Sequence, residues 1–411
     1  MIPPPSAVMG RRRRAAVPLV LAGLSMIGPF TIDTPFPAFG RLQDEFGVGP
    51  EATQQLVSVY LLAFALMSVL HGPLSDALGR RRVIFGGLGV YAVASVGCAL
   101  APSMEVLLAF RVLQGLSAGG GVIVSRVVIR DLFEGAAAQR LMSRVTMIFG
   151  VAPAVAPVVG GWLVLTGSWR VIFWFLVAFA VALVAVVAVV LPETHPPERR
   201  TPLRLGPMVR DLATVARSVR WHRVAWAGSF LFGGYFLYIG AAAIVVVDLL
   251  GLGENDFWML FLPLIAGMVT GSWLSGRAAD RMTPRRLVGR GLGFAVASAV
   301  LNVALTLWSP TQGLPYAVLA PALLGVSVGA VFPVLQLAPL DMFPEARGAA
   351  ASATTVTSLV LNGLAAGLLA PLATRSLTTM AVVSLALVLV GACFWLWHLS
   401  ATTQRPTRRR A

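Results

Sequence analysis

Long apolar blocks separated by short polar stretches run through the whole chain. Each block holds about 20 residues, the length with which an α-helix crosses the hydrocarbon core of a bilayer. Such blocks lie at 16–39, 53–72, 83–101, 106–127, 141–166, 169–191, 224–248, 257–275, 287–308, 314–336, 348–374 and 377–399. The pattern predicts an all-α membrane protein with twelve transmembrane helices in two six-helix halves.

The polar stretches predict how these halves are joined. They define a cytoplasmic N-terminal segment (1–15), a first six-helix half (16–191), a cytoplasmic central linker (192–223), a second six-helix half (224–399) and a cytoplasmic tail (400–411). Apolar residues recur in the linker at nearly helical spacing. The linker is therefore either an amphipathic helix at the inner membrane interface or a basic connection that enforces topology.

Composition narrows the class of protein. Of the 411 residues 57% are apolar and 12% charged, with a mean hydropathy of +0.82. A soluble domain carries about 25% charged residues. Despite the net charge of +15, this excludes a disordered or nucleic-acid-binding protein and argues against a soluble enzyme. Cysteine and histidine spacing predicts neither a disulfide framework nor a metal site.

The arginines predict the orientation of the helices. All 32 basic residues are arginine, and a cytoplasmic N-terminus leaves only Arg41, Arg170 and Arg375 in outer loops. Basic residues concentrate in cytoplasmic loops of membrane proteins. We therefore expect both termini to be cytoplasmic.

The loops after the second and eighth blocks repeat a motif. They read GPLSDALGRRR at 72–82 and GRAADRMTPRR at 276–286, so that Gly72 matches Gly276 and Asp76 matches Asp280 at an offset of 204 residues. This offset is about half of the chain. Parallel repeats of this kind occur in secondary transporters, which bind substrate between their halves.

The chemistry of these loops predicts a latch between conformations. A carboxylate at the inner membrane surface can accept hydrogen bonds from the unpaired N–H groups of a helix N-terminus, and nearby arginines can pair with it. The alternative is a basic loop that only makes a turn. The predicted latch residues are Gly72, Asp76, Gly79, Arg80, Arg81, Asp280 and Arg281.

Four segments resemble those of a known family. Residues 72–82 resemble the loop signature of the major facilitator superfamily, RVLQG at 111–115 resembles the RxxQG motif of its proton-driven members, and GVAPAVAPVVGG at 150–161 resembles its antiporter motif. TIDTPFPA at 31–38 is similar to the Asp-bearing segment of the bicyclomycin/chloramphenicol-resistance (Bcr/CflA) drug exporters. The resemblance implies a major-facilitator-type fold and drug–proton antiport.

Two positions depart from the pattern of this family. Ala77 stands where the loop signature usually has arginine, although the second copy has Arg281. Thr34-Pro35-Phe36 stands where the family commonly has a Tyr-Leu pair. The additional proline is expected to change how the first span bends.

Two ionisable residues inside predicted spans are the candidates for proton coupling. Asp33 is the only acid well within a span and Arg111 the only arginine deep in one. Such residues are costly in a bilayer and usually functional. Asp33 is predicted to carry the transported proton, or else to pair with a helix end or with a hydroxyl such as that of Thr31.

Arg111 needs polar partners, and Gln114 lies one helical turn away on the same face. The resemblance implies that Arg111 lies near the substrate cavity and assists proton exchange. A purely structural anchor is the alternative.

The fifth span is predicted to be a bent, closely packed helix. Proline removes backbone hydrogen bonds, and small residues let another helix approach. Such a helix either governs which side of the cavity opens or merely packs. The residues of this antiporter-like motif are Gly150, Pro153, Pro157, Gly160 and Gly161.

An apolar cavity with a few polar groups suits amphiphilic compounds. Aromatic residues at helical spacing more often serve packing than binding. The candidate cavity residues are Gln114, Phe232, Tyr235, Tyr238, Gln336 and Asn362.

We expect a proton-coupled secondary transporter of the bacterial inner membrane that exports small amphiphilic compounds by alternating access. The chain has no phosphate-binding glycine loop with lysine and no nucleophile–base constellation, so we expect no cofactor, no ATP drive and no enzyme. The expected partners are a small-molecule substrate, protons and the lipid bilayer, without nucleic acid, and the expected state is a monomer. The alternatives are a metabolite exporter or importer of the same fold and, in another class, a channel or a non-transporting scaffold or sensor.

Overall fold

The computed structural model describes residues 10–165, 167–201, 205–242, 244–252, 256–308, 313–365, 369, 373 and 375–403, and within them the regular secondary structure is helical. Residues 1–9 of the predicted N-terminal segment, 202–204 of the predicted linker and 404–411 of the predicted tail lie outside these ranges. The chain forms two compact units. One consists of Met1–Val215 with Phe343–Val356, and the other of Ala216–Met342 with Thr357–Ala411.

The first unit contains the helices of the first half of the sequence. They are α1 (Arg11–Asp33), α2 (Phe39–Phe46), α3 (Pro50–Leu78), α4 (Arg80–Ala99), α5 (Met104–Leu132), α6 (Gly135–Val164), α7 (Arg170–Val190) and α8 (Leu205–Ala216), with 3-10 turns at Phe36–Ala38 and Pro197–Arg199. Within this unit α5 packs against α3, α4 and α1.

The second unit contains α9 (Val219–Gly240), α10 (Phe257–Ala278), α11 (Pro284–Leu307), α12 (Tyr316–Met342) and α14 (Leu377–Thr403), with a π-helical turn at Ile244–Leu249. Its α12 packs against α10, α11 and α9. One further helix, α13 (Arg347–Leu364), begins in the first unit and ends in the second.

A helix lies at each of the twelve predicted positions within the described ranges. Nine of the described helices are long and apolar enough to cross a membrane, and the bent α6 makes ten. The other two predicted spans, α9 and α13, have more polar sequences. Arg220 and Arg223 lie in the first turns of α9, whereas serine and threonine recur along α13.

Helix α1 ends within the first candidate span, which runs from Ala15 to Phe46. The apolar block runs to residue 39, yet α1 ends at Asp33 and the chain continues through a 3-10 turn at Phe36–Ala38. Pro35 and Pro37 cause this difference, because proline has no N–H with which to continue the helical hydrogen bonds. Asp33 is therefore the last residue of α1 rather than a residue of its interior.

Glycines allow close helix contacts within each unit. A Cβ added at Gly115 of α5 would lie 2.3 Å from the carbonyl oxygen of Tyr60 in α3. In the second unit, a Cβ at Gly271 of α10 would lie 1.9 Å from the carbonyl oxygen of Val326 in α12. Any larger side chain would separate these helices. The contact at Gly115 brings α3 close to Arg111, which lies one turn earlier on α5.

The central stretch contains the short helix α8. Met208 and Val215 on one face are 5% and 0% exposed, whereas Val209 is 60% exposed. This is the pattern of an amphipathic helix that buries one face. Its location at the membrane interface stays a prediction.

Candidate functional site

Arg111 is the centre of a buried polar network in the first unit. Its side chain is fully buried. Nε donates a hydrogen bond to the carbonyl oxygen of Leu56 at 2.8 Å, and Nη1 donates to the carbonyl oxygen of Thr31 and to Oε1 of Gln114, each at 3.0 Å. The guanidinium carbon also lies 4.9 Å from the centre of the Tyr60 ring. Carbonyl dipoles and an aromatic face thus replace water around this charge.

The same network reaches α4. The amide nitrogen of Gln114 donates to Oγ of Ser95 at 2.7 Å. The Thr31 hydroxyl and the Tyr91 hydroxyl are 2.5 Å apart. Gln114 is fully buried, so in this structure the predicted cavity residue joins α5 to α4 through Ser95 and accepts a hydrogen bond from Arg111 of its own helix. The hydroxyl of Thr31 contacts Tyr91 rather than Asp33.

Asp33 interacts electrostatically with Tyr60 of this network, and in the described part of the chain it has neither a hydrogen bond nor an ion pair. It is partly buried and follows Thr31 by two residues. Arg111 therefore binds the backbone of the turn that carries Asp33 and not the carboxylate itself. The carboxylate also stands at the carbonyl end of α1, which is the negative end of the helix dipole.

Helix α6 packs directly against the turn after Asp33. A Cβ added at Gly160 would lie 2.0 Å from the carbonyl oxygen of Thr34, whereas the space next to Gly161 is open. The helix bends by 44° between its segments Gly135–Pro153 and Val155–Val164. Because Pro153 and Pro157 both lack an N–H, this is the part of α6 with the fewest backbone hydrogen bonds. Gly150 is buried one turn earlier.

A second network surrounds Asp76 at the end of α3. Asp76 is 1% exposed. Its carboxylate accepts hydrogen bonds from Arg80 and from the backbone N–H groups of Gly348 and Ala349, the latter two at 3.2 Å. Gly348 and Ala349 belong to the first turn of α13, where N–H groups have no partner within the helix. The carboxylate therefore caps α13 and is favoured there by the helix dipole.

Arg80 extends this network to the end of α5. Arg80 is 2% exposed, and its Nε donates to Oδ2 of Asp131 at 3.1 Å. Arg347, the first residue of α13, donates from Nη1 to Oδ1 of Asp131 at 2.7 Å. Two carboxylates and two guanidinium groups thus alternate from Asp76 to Arg347, and each buried charge has an opposite charge beside it.

Two glycines allow α3 and α13 to come this close. A Cβ added at Gly72 would lie 1.7 Å from the carbonyl oxygen of Gly348, and one at Gly348 would lie 2.1 Å from that of Gly72. The N–H of Gly72 donates to Oγ of Ser352 at 2.9 Å. Either glycine replaced by a larger residue would force the two helices apart.

The start of α4 is capped from the central linker. Glu193 accepts hydrogen bonds from the backbone N–H groups of Arg80 at 2.9 Å and Arg81 at 3.2 Å. Gly79 precedes them with φ +98°, a conformation that L side chains rarely adopt. The Arg81 side chain donates to the carbonyl oxygen of Ala188 at the end of α7, at 2.7 Å.

Asp131, Glu193 and Arg347 are absent from the residues that the sequence singles out. Arg347 and Asp131 are 216 residues apart, and Arg81 and Glu193 are 112 apart. The sequence shows Asp131 only as an acid at the end of the fourth apolar block. Because these pairings join distant segments, spacing along the chain carries no sign of them.

The second copy of the loop has a different environment. Asp280 and Arg281 are both exposed and follow the end of α10. Helix α11 then begins at Pro284, and the Thr283 side chain accepts a hydrogen bond from the N–H of Arg286. Thr283 is thus an N-cap residue.

The remaining predicted cavity residues belong to the second unit. Tyr235 is 1% exposed and donates to the carbonyl oxygen of Leu264 at 3.2 Å, and Tyr238 is 3% exposed and accepts from Asn302 at 2.5 Å. The Phe232 ring stacks on Phe332 with centres 5.0 Å apart. Gln336 is 4% exposed. Both tyrosines thus take part in packing within this unit.

Asn362 has a buried amide oxygen without a hydrogen-bond partner in the described part of the chain. It lies on α13 and is partly buried. An unused buried acceptor of this kind is open to a ligand or a water molecule.

Two titratable groups of the central linker lie near the Asp76 network. Burial and the nearby Arg80 guanidinium lower the pKa of His195 from its usual 6.5. Burial and the Asp76 carboxylate raise the pKa of Asp211 from its usual 3.8. The first shift disfavours a cation and the second disfavours an anion.

The sequence matches known proteins over most of its length. The profile of the Major Facilitator Superfamily matches residues 20–366. The chain is 31% identical to the bicyclomycin resistance protein homolog of Haemophilus influenzae over 64% of this chain and 66% of that protein. It is 26% identical to multidrug resistance protein D of Escherichia coli over 89% of this chain and 91% of that protein. It is 27% identical to a chloramphenicol resistance protein of Pseudomonas aeruginosa over 92% and 90%.

Solved structures show the same fold. The human organic anion transporter MFSD10 (TETRAN) superposes with a TM-score of 0.72 at 20% identity, over 94% of this chain and 100% of that chain. The transporter FucP superposes with a TM-score of 0.73 at 11% identity, over 93% and 98%. The profile match, the helix order and these superpositions agree, and the chain belongs to the Major Facilitator Superfamily.

Proposed function

We propose that the protein exports small amphiphilic compounds, drugs among them, in exchange for protons. The bacterial relatives named for resistance to bicyclomycin, to chloramphenicol and to multiple drugs support export of such compounds. The antiporter-like segment 150–161, whose Gly160 packs on the turn after Asp33, supports antiport.

Membership of this superfamily makes the chain a multi-pass membrane transporter of small molecules and not an enzyme. We further infer that it lies in the bacterial inner membrane with both termini cytoplasmic, because its relatives are bacterial and its arginines avoid the outer loops. The proton gradient would then supply the energy, without a cofactor, and one chain would suffice.

The observation that carries the proposal is the position of Asp33, a partly buried acid at the end of α1 that follows by two residues the carbonyl bound by the fully buried Arg111, with Tyr60 interacting electrostatically with both side chains. Arg111 binds the Thr31 carbonyl, two residues from the carboxylate. An ionised Asp33 would attract the Arg111 guanidinium, whereas a protonated Asp33 would not. Proton binding would thus change the geometry where α1, α3 and α5 meet.

Coupling follows if substrate and proton favour different arrangements of this region. A ligand shifts a conformational equilibrium only by its difference in affinity between the two states. Protonation of Asp33 favours the arrangement with Arg111 on the α1 backbone, and substrate binding would favour the other. Gly160 would transmit this change to α6.

The Asp76 network would set the stability of the conformation in which the first turn of α13 is held against the first unit. Asp76 and Asp131 hold the first turn of α13 against the first unit through backbone and side-chain bonds. Release of α13 would break these contacts together, so the network acts as a latch that a transport cycle must open.

Resistance of a bacterial host that lacks its own pumps tests the proposal. We expect the protein to raise the inhibitory concentration of at least one compound in a panel that includes chloramphenicol and bicyclomycin. Asp33→Asn should abolish this effect at equal expression, whereas Asp44→Asn, a change at an exposed acid of α2, should not. Unchanged susceptibility to every compound would contradict drug export and favour a metabolite as the substrate.

Flux in proteoliposomes separates a transporter from the other class of function. Saturable flux that depends on a pH gradient is expected. Flux that never saturates would indicate a channel, and no flux of any panel compound would contradict drug export and leave a metabolite transporter, a scaffold or a sensor.

A further inference from the structure

A cavity of about 340 Å³ lies at one end of the second unit. It is enclosed by the first turns of α9 and α11 and by the last turns of α12 and α14. Because these four helix ends lie on the same side, the arginine-based topology assigns the cavity to the cytoplasmic face. The transport proposal assigns no role to it.

Trp395 supplies an unused hydrogen-bond donor to this cavity. The residue is 7% exposed and lines the cavity, yet its indole Nε1 has no hydrogen-bond partner among the residues that the structure describes. An indole nitrogen can only donate. Buried donors are almost always paired, so an acceptor beyond the described residues, such as a ligand or a water molecule, fits this position. The ring is held in place by stacking on His398, with ring centres 5.2 Å apart.

The lining of the cavity is positively charged. Arg220 and Arg285 line it, and Asp341 is the single acid among its lining residues. Arg223 lies near them, since the guanidinium groups of Arg220, Arg223 and Arg285 all interact electrostatically with His398. An anion that accepts a hydrogen bond from the indole N–H fits the positive electrostatic field of these arginines best.

The other walls of the cavity are apolar. The exposed residues around it are typical of the level of the lipid head groups. Val224, Leu335 and Leu399 line the cavity. Trp397 on the same helix as Trp395 is 47% exposed, with the Arg223 guanidinium 4.3 Å from its ring centre. Exposed tryptophan is enriched at the level of the lipid head groups. The cavity can therefore bind a ligand that has both a charged group and an apolar part.

The repeated loop has a different residue at the register that borders this cavity. In the first loop Arg80 reaches Asp131 at the end of α5. At the same register the second loop has Pro284, which lines the cavity beside Asp341 at the end of α12. Proline has no side-chain donor, so position 284 cannot make the contact with an acid that Arg80 makes in the first unit.

We propose that this cavity binds the phosphate group of an anionic phospholipid from the cytoplasmic leaflet, with the Trp395 indole N–H, Arg220 and Arg285 as donors. Phosphate oxygens accept charge-assisted hydrogen bonds from guanidinium groups. The apolar walls receive the beginning of the acyl chains. A head group bound here ties α9, α11 and α14 together at their cytoplasmic ends.

Ligand titration of the purified full-length protein in detergent tests this site without reference to transport. The probes are dioctanoyl phosphatidylglycerol, dioctanoyl phosphatidylcholine and inorganic phosphate, and the readouts are the shift in Tm and the lipid adducts in native mass spectrometry. We expect phosphatidylglycerol to raise Tm with saturation and the other two to have little effect. Arg285→Ala and, separately, Trp395→Phe should each weaken binding about tenfold, as the loss of one hydrogen bond to a charged group predicts.

Arg290→Ala is the matched control, because Arg290 is an exposed arginine of the same helix that does not line the cavity. It changes the net charge as Arg285→Ala does and should leave binding intact. Equal losses in both variants would overturn the site in favour of a general charge effect. An equal response to phosphatidylcholine, or a response to inorganic phosphate alone, would overturn the lipid assignment, and no response to any probe would overturn the proposal as a whole.

Discussion

The two copies of the repeated loop have the same motif in different surroundings. Asp76 is buried and accepts from Arg80 and from two backbone N–H groups of α13. Asp280, its partner in the repeat, is exposed. The shared Gly and Asp positions therefore reflect the duplication of the chain, whereas the burial of the carboxylate depends on residues outside the motif.

Two matched positions of the repeat, at which the two loops have different residues, account for the difference in burial. Gly79 corresponds to Thr283, and Arg80 corresponds to Pro284. In the first loop a positive φ at Gly79 turns the chain so that Arg80 points inward between two carboxylates. In the second loop Thr283 and Pro284 form an ordinary helix start with a side-chain cap. The lesson is that a repeat predicts shared ancestry of two loops and not shared chemistry.

The largest predicted difference concerns the two aspartates. Asp76→Asn leaves Arg80 with one carboxylate instead of two and weakens the cap of α13. Breaking a buried ion pair costs about 3 kcal/mol of unfolding free energy. Asp280→Asn changes an exposed group and should stay within about 0.5 kcal/mol. Thermal unfolding of both purified variants in detergent checks this, and equal losses would contradict the comparison.

A smaller difference in the free energy of unfolding is expected between substitutions at Gly79 and at its matched position, Thr283. Gly79→Ala places a Cβ 2.7 Å from Oε2 of Glu193 at a backbone conformation that costs a non-glycine residue about 1–3 kcal/mol. Thr283→Ala removes an N-cap, at about 1 kcal/mol. Serine substitutions separate the backbone strain at position 79 from the loss of the N-cap at position 283. Thr283→Ser should retain most of the stability, because serine can also cap the helix, whereas Gly79→Ser should not. Equal tolerance of serine at both positions would refute this assignment.

Substitutions of the flanking arginines, Arg81 and Arg281, should differ still less in their cost to the free energy of unfolding. Arg81 donates to the carbonyl oxygen of Ala188 at the end of α7, so Arg81→Ala should cost about 0.5–1 kcal/mol. Arg281 is exposed, and Arg281→Ala should cost less than about 0.5 kcal/mol. Urea or thermal unfolding would decide, and a larger loss at Arg281 would reverse the ranking.

The smallest effect at neutral pH should be a pH dependence linked to the first loop. The pKa of His195 is lowered from 6.5 by burial and by Arg80, so the unfolded chain takes up a proton before the folded one does. Stability is therefore complete above pH 6.5 and falls as the pH drops below it. His195→Gln should remove this part of the pH profile.

Asp211 contributes in the opposite direction. Its pKa is raised from 3.8, so its contribution to stability is present below pH 3.8 and is lost as the pH rises through the folded value. Unfolding measured from pH 7.5 to 5 in the His195→Gln and Asp211→Asn variants separates the two groups. A His195→Gln profile identical to that of the wild type would contradict the assignment.

The sequence predicts the local parts of the candidate site. Twelve apolar blocks give the positions of the helices, and the pairing of Arg111 with Gln114 follows from their spacing of three residues. The sequence also identifies Asp76 as an acceptor for a helix N-terminus, although the helix it caps begins more than 270 residues later.

The other contacts need the folded chain. Arg111 binds the carbonyl oxygens of Thr31 and Leu56, and backbone carbonyls carry no residue-specific signal. Asp131, Glu193 and Arg347 pair across long separations, for which one sequence gives no register. The apolar pattern does not show that α1 ends at Asp33 inside the first candidate span (Ala15–Phe46), because two prolines stop the helix while the apolar residues continue.

The central claim is that Asp33 carries the proton whose binding drives transport. The most direct measurement compares two modes of flux by wild type and Asp33→Asn in proteoliposomes, with one panel compound as substrate. The account predicts that the variant retains exchange of substrate for substrate and loses accumulation driven by a pH gradient. Accumulation by Asp33→Asn at the wild-type rate, at equal reconstitution, would contradict it.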